Sequence, residues 1–125
     1  DVTRFVEEML HIDYDASSTF GQRQFAAAIG LDGGDYATIN SDPDKRFPNA
    51  DGLDYCQKLT PTSGAETIYT FDAVDDAEDY EGESCALRFI SPDYRVVTCG
   101  FPLYFCDQDE ATALIQQVIQ DFNAE

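Results

Sequence analysis

Apolar side chains recur at helical spacing at the two ends of the chain and at strand spacing between them. Near the start, Val2, Phe5, Val6, Met9 and Leu10 fall on one face at 3.6-residue spacing, with Thr3, Arg4, Glu7 and Glu8 on the other. That pattern predicts an amphipathic helix. At the far end Asp107 and Glu110 have the spacing of a capping box. Ala111, Leu114, Ile115, Val118, Ile119 and Phe122 follow as one apolar stripe, and Gln116, Gln117, Gln120 and Asp121 are expected to face water.

The middle of the chain switches to strand patterns broken by turn residues. Residues 24–29 form a short run of small side chains ended by Gly30, and residues 36–39 form a second brief run after a Gly-Gly turn. Residues 66–71 alternate as a strand does. Residues 85–90 and 95–99 read as a hairpin turning through Ser91-Pro92-Asp93-Tyr94. The apolar segment 101–105 continues from it, bent where Gly100 and Pro102 interrupt the ladder. Residues 13–21, 40–64 and 72–84 read as loops, the second rich in Pro and Gly. So long an irregular stretch is either functional or tied down by other contacts.

Helix, several strands and helix in that order predict an α/β or α+β domain. Its expected form is a mixed sheet with a C-terminal β-hairpin and helices at both chain ends. A length of 125 residues supports one domain and one core. The helical pattern begins at the first residue with no leader before it, which suggests a chain cut out of a longer one. Any targeting segment is then expected upstream, and no apolar run approaches a membrane span.

Charge narrows the partners. Asp plus Glu number 25 against 7 Lys plus Arg, a net charge of −18. Nucleic-acid binding needs clustered cations to displace counterions, and Arg4, Arg23, Lys45, Arg46, Lys58, Arg88 and Arg95 are scattered along the chain. Nucleic acid and anionic membranes are therefore excluded as partners. The acidic excess fits solubility by self-repulsion, or a salty or calcium-containing extracellular medium.

The four cysteines, Cys56, Cys85, Cys99 and Cys106, form no C-x-x-C pair. A zinc knuckle or thioredoxin-type site is thus poorly supported. They can be buried thiols or include a disulfide, with Cys85 and Cys99 facing each other across the hairpin as one candidate.

Other chemistry is sparse. His11, the only histidine, stands at a helix end, where a capping or surface role is the ordinary one. Ser17, Ser18 and Thr19 lack the surroundings of a triad. Residues 97–101 lack the pattern of a nucleophile elbow. Carboxylates gather at Asp42, Asp44, Asp51 and Asp54, and again at Asp72, Asp75, Asp76, Glu78, Asp79, Glu81 and Glu83. Either loop is a candidate for calcium. The first begins like an EF-hand, then puts Arg46 at a ligand position and Phe47 where the turn glycine belongs. No glycine-rich phosphate cradle follows a strand, so no nucleotide or other cofactor is expected. Cys106 precedes the last helix, whose N-terminus favours a thiolate, while Asp107 and Asp109 oppose it.

Several segments carry a resemblance. The run Arg4-Phe5-Val6-Glu7-Glu8-Met9-Leu10-His11-Ile12-Asp13-Tyr14 resembles a helix and following segment of flavodoxin-like, class I glutamine amidotransferase-like domains in secreted bacterial multidomain proteins. Arg46-Phe47-Pro48-Asn49-Ala50-Asp51 is similar to their YPD-type loop, and Cys85-Ala86-Leu87-Arg88-Phe89 to their AVRY strand. Residues 94–105 are similar to the YKVVYFGFPLYYM segment that closes that domain before a final helix.

The resemblance implies that residues 1–125 are a single domain or the C-terminal portion of a larger three-layer domain. It implies an extracellular or periplasmic location and an upstream segment of the same protein as partner. The parallel strands and the catalytic cysteine of true amidotransferases would lie before this region, so no residue here inherits a catalytic role. The expectation is a non-catalytic structural or binding portion of such a protein. The alternatives are a free-standing acidic secreted module that binds a cation, carbohydrate or protein, and a piece of a hydrolase completed by another segment. No catalytic, cofactor-binding or metal-binding residue is assigned.

Overall fold

A computed structural model describes residues 2–14, 17–20, 23–54, 56–75 and 80–124. Among these described residues two helices and seven strands succeed one another as α1 (Val2–Glu8), β1 (Ser18–Phe20), β2 (Phe25–Gly30), β3 (Ile39–Asn40), β4 (Cys56–Lys58), β5 (Glu66–Ala73), β6 (Ser84–Ile90), β7 (Arg95–Cys99) and α2 (Gln108–Asn123). Five strands form one sheet in the order β3-β2-β5-β6-β7, and β1 pairs with β4 in a separate ribbon. Helices stand at both chain ends, as the pattern predicts. Every strand pairing among the described residues is antiparallel, which puts the domain on the α+β side of the expectation.

The hairpin forms as read. Ile90 opposes Arg95, and Ser91 closes the turn through its amide and hydroxyl, both donating to the Tyr94 carbonyl at 3.0 Å. Its register corrects one expectation: Cys99 lies opposite Ala86, not Cys85, and all four cysteines are free thiols. Segment 101–105 does not continue as a strand. It folds into a 3-10 turn over Leu103–Phe105, because Pro102 has no amide for a ladder and Gly100 bends the chain ahead of it. Strands β1 and β4 fall in stretches read as loops.

The core lies around β2, β5 and β6. Phe25, Tyr69, Phe71 and Phe101 pack ring against ring, with centroid separations of 5.4–5.9 Å. Gly100 is essential to the join between ribbon and sheet. A Cβ on it would lie 2.5 Å from the Gln57 carbonyl oxygen and 2.9 Å from that of Cys85. Its amide donates to Cys85 O at 2.7 Å, and its carbonyl accepts from the Gln57 amide at 2.6 Å.

Helix α2 starts as expected, with Asp107 accepting from the Glu110 amide at 3.0 Å. The reciprocal half of the capping box is absent. Glu110 instead accepts from the Asn40 amide at 2.9 Å, and the Asp107 amide donates to Asn40 O. The stripe is only half buried. Ala111 and Leu114 are in the core and Val118 packs against it, while Ile115 and Ile119 face solvent. Asp121 departs from expectation in the other direction, turning inward to meet Arg88. Leu114→Ala is expected to destabilise by about 2–5 kcal/mol, and Ile119→Ala to stay within about 0.5 kcal/mol. Urea unfolding of the two variants checks which face is inward.

The stripe on α1 is used less. Val6 and Leu10 pack against a small cluster of Ile12, Leu59 and Leu87, and Val2, Phe5 and Met9 are exposed. No helix among the described residues is long and apolar enough to cross a membrane.

Candidate functional site

His11 is a structural fastener. It takes a left-handed backbone conformation, φ 58°, that turns the chain out of α1. Its ring stacks on Phe89, centroids 3.6 Å apart and 9° from parallel. Its Nε2 is 2.7 Å from the Tyr94 hydroxyl, which in turn donates to the carbonyls of Glu8 and Met9. One ring face and Nε2 are thus spent on holding α1 to the hairpin. Ser17 is likewise occupied: its hydroxyl donates to Asp13 O at 2.7 Å and accepts from the Thr60 amide.

The thiols lack the setting of a nucleophile. Burial pushes Cys99 up to about 11, and burial with nearby Cys56, Cys99 and Glu110 pushes Cys106 up to about 12. The helix N-terminus therefore does not win at Cys106. Cys85 is raised further, first by its hydrogen bond with Cys56 and then by burial. A reactive cysteine needs the opposite shift.

The acidic loops separate. Asp42 caps a 3-10 turn over Pro43–Lys45 by accepting from the Asp44 amide at 2.9 Å. Asp54 lies 3.3 Å from Arg23 Nε. In the second cluster, Asp76, Glu78 and Asp79 lie outside the described residues, and Glu81 accepts from the Ala73 amide. Among the described residues no group of three or more His, Cys, Asp or Glu side chains is placed to hold a metal ion.

The structure does bring together residues that the sequence did not group. A cleft of about 230 Å³ is lined by Lys45, Arg46, Phe47, Leu53, Asp54, Pro102 and Phe105. Its walls come from the loop after β3, the segment before β4 and the turn before α2. These are drawn together by the Asp42 amide donating to Phe105 O at 2.9 Å and by a single antiparallel bridge between Ser41 and Cys106.

Cations are fixed around the rim. Arg46 donates through Nε and Nη2 to the hydroxyl of Ser41, itself buried and donating to Ala26 O at 2.7 Å. Lys45 Nζ donates to Tyr104 O at 2.7 Å and sits 4.3 Å above the Tyr104 ring. Arg23 lies 4.4 Å above the Phe47 ring. Three of the chain's 7 basic residues thus surround one apolar cleft in a protein of charge −18.

Phe47, Tyr104 and Phe105 nevertheless stay exposed, at 54%, 68% and 41%. Asp54 Oδ1 is shielded from water, and despite the nearby Arg23 it accepts no hydrogen bond. A sequence signal for this cleft did exist. Lys45-Arg46 is the one adjacent pair of basic residues in the chain, and an aromatic follows it.

No family model, curated protein or solved structure matches the chain.

Proposed function

We propose that this chain is a non-catalytic binding module of a secreted protein. In this reading the cleft between Phe47 and Phe105 receives an aromatic or aliphatic side chain of a polypeptide partner. The observation that carries it is the exposed aromatic rim held in place by fixed cations around an apolar floor. Aromatic and Arg residues dominate the anchoring spots of protein interfaces. The volume of about 230 Å³ lies below the roughly 300–1,000 Å³ typical of small-molecule pockets, which favours one inserted side chain over a whole ligand. A donor next to that side chain, such as an amide or indole N–H, would satisfy Asp54 Oδ1. The secreted setting draws support from the acidic composition and from the amidotransferase-like resemblance. That resemblance also supplies a source of partner chain, the upstream segment of the same protein.

Panning the folded chain against a random peptide library is expected to select peptides that share an aromatic residue. Their binding should perturb the amide resonances of residues 45–47, 53–54 and 102–105. Phe47→Ala and Tyr104→Ala replace exposed side chains, so the fold should persist while affinity falls about 10-fold or more. Selected peptides that map elsewhere, or that bind both variants as well as the native chain, would overturn the assignment.

A further inference from the structure

We propose that the outer edge of β7 is a docking site for an extended segment of another polypeptide, which joins the sheet as a sixth strand and seats an aliphatic side chain in the groove beside Thr98.

The register of the hairpin leaves that edge open. Among the described residues β7 ends the five-stranded sheet and pairs with β6 alone. At one end of the pair the Ser91 amide donates to Tyr94 O at 3.0 Å, and at the other the Gly100 amide donates to Cys85 O at 2.7 Å. Hydrogen-bonded pairs alternate along an antiparallel ladder, so Tyr94, Val96, Thr98 and Gly100 turn their backbone groups toward β6. The amides and carbonyls of Arg95, Val97 and Cys99 therefore point away from it, and among the described residues they meet no backbone partner.

The opposite edge of the same sheet is closed. On β3 the Asn40 amide donates to Glu110 Oε1 at 2.9 Å, and the Asn40 carbonyl accepts from the Asp107 amide at 2.9 Å. Strand β7 has neither that cover nor the usual guards of an exposed edge, which are proline, a bulge or an outward charge. It contains no proline, and its register with β6 runs unbroken from Ala86–Cys99 to Ile90–Arg95. Its one charged side chain, Arg95, is turned aside to the carbonyls of Asp121 and Phe122 at the end of α2.

A groove of about 380 Å³ lies beside this strand, with Val6, Leu10, Ile12, Lys58, Leu59 and Thr98 in its lining. Residues opposite each other on neighbouring strands share a face, so a partner residue across from Thr98 has its side chain on the groove side. Main-chain bonds to a sheet edge give affinity, and pockets for alternate side chains give specificity. Donors and acceptors at a two-residue repeat match an extended polypeptide backbone. A second copy of this chain is the poorer occupant, because a charge of −18 on each copy opposes their approach and favours a neutral or basic segment instead. None of these residues lines the cleft at Phe47, so binding at one surface does not require the other.

The test titrates a capped peptide of alternating valine and threonine, with a lysine at each end, into the isotope-labelled full chain. Hydrogen exchange of the Arg95, Val97 and Cys99 amides should slow by about 10-fold or more, while the Val96 and Thr98 amides, already bonded to β6, stay as they were. Thr98→Arg fills the groove and should weaken binding about 10-fold or more, with circular dichroism reporting the fold. The same peptide methylated on every amide nitrogen tests the pairing on the unaltered protein, and it should not bind. Equal binding of the methylated peptide would overturn the proposal, as would no protection at millimolar peptide. Protection at residues 45–47 and 102–105 instead would also overturn it, placing the peptide in the cleft. So would protection of Arg95, Val97 and Cys99 without peptide that rises with a doubling of mass, which would make a second copy the occupant.

Discussion

Phe25→Ala is expected to remove about 3–5 kcal/mol of stability, the range for truncating a buried aromatic ring. Phe25 is 1% exposed and contacts two other rings. It stacks on Phe101 at 5.4 Å and meets Phe71 edge-on at 5.8 Å. Its backbone also exchanges hydrogen bonds with Leu53, donating at 3.3 Å and accepting at 2.8 Å. A cavity here therefore loosens the sheet and a wall of the cleft together. For a domain whose total stability is about 5–15 kcal/mol, such a loss approaches the folding threshold. Urea unfolding followed by circular dichroism checks it. A midpoint close to that of the native chain would show that the ring cluster is not the centre of the core. Phe25→Leu keeps most of the volume and should recover part of the loss.

The second large effect is expected where α2 meets the sheet. Arg88 Nη1 donates to Asp121 Oδ2 at 2.8 Å, and Nε donates to Glu66 Oε1 at 2.8 Å. The Tyr36 hydroxyl donates to Asp121 Oδ2, and Gln117 Nε2 to Asp121 Oδ1 at 3.1 Å. Arg95 adds bonds to the carbonyls of Asp121 and Phe122. The side chains of Arg88 and Asp121 are only 23% and 11% exposed, whereas Glu66 is 59% exposed and its share is screened by solvent. Arg88→Met strands the Asp121 carboxylate and should destabilise by about 3 kcal/mol. Arg88→Met combined with Asp121→Leu should regain much of that, because the unpaired charge is gone.

Acid should act on the same contact. Burial pushes the Asp121 carboxyl up, but the hydrogen bonds from Tyr36, Arg88 and Gln117 and the Arg88 charge outweigh it and hold the group below its ordinary value. A carboxyl lowered in the folded state contributes stability that is fully present above its unfolded pKa of about 3.9. That contribution is lost as pH falls through the folded value. The native chain should therefore lose more stability below about pH 4 than Asp121→Asn does. Parallel acid-unfolding curves would remove Asp121 from this role.

Legibility followed the range of the interactions. Helix α2 and the β6–β7 hairpin were visible because their periodicity, cap and turn residues are local. Strands β1 and β4 were not, being three residues each and existing only because Ser18–Phe20 and Cys56–Lys58 find one another across the chain. Asp121 sits on a helix face that looks polar, and its inward role depends on Arg88 arriving from the sheet. The cleft was hidden for the same reason, since residues 45–47, 53–54 and 102–105 meet only in the folded chain. Composition set the charge of the surface, but not where its few cations gather.

The fastening of α1 also sets the order in which the molecule comes apart. Seven residues are too few for a helix to persist on its own in water. Its hold on the body rests on Val6, Leu10 and the stacked His11, Phe89 and Tyr94 rings, while Val2, Phe5 and Met9 contribute nothing to the interior. Freeing the helix takes only the parting of that stack from Phe89 and of the Val6 and Leu10 packing from Leu87, both on the face of β6, while the backbone bonds from Thr62 to His11 and from Asp13 to Thr60 tether the chain behind it. The N-terminal end thus behaves as a detachable latch, opening at far lower free energy than the sheet it rests on. When it opens, it bares Ile12, Leu59 and Leu87, an apolar surface that the closed molecule keeps out of reach.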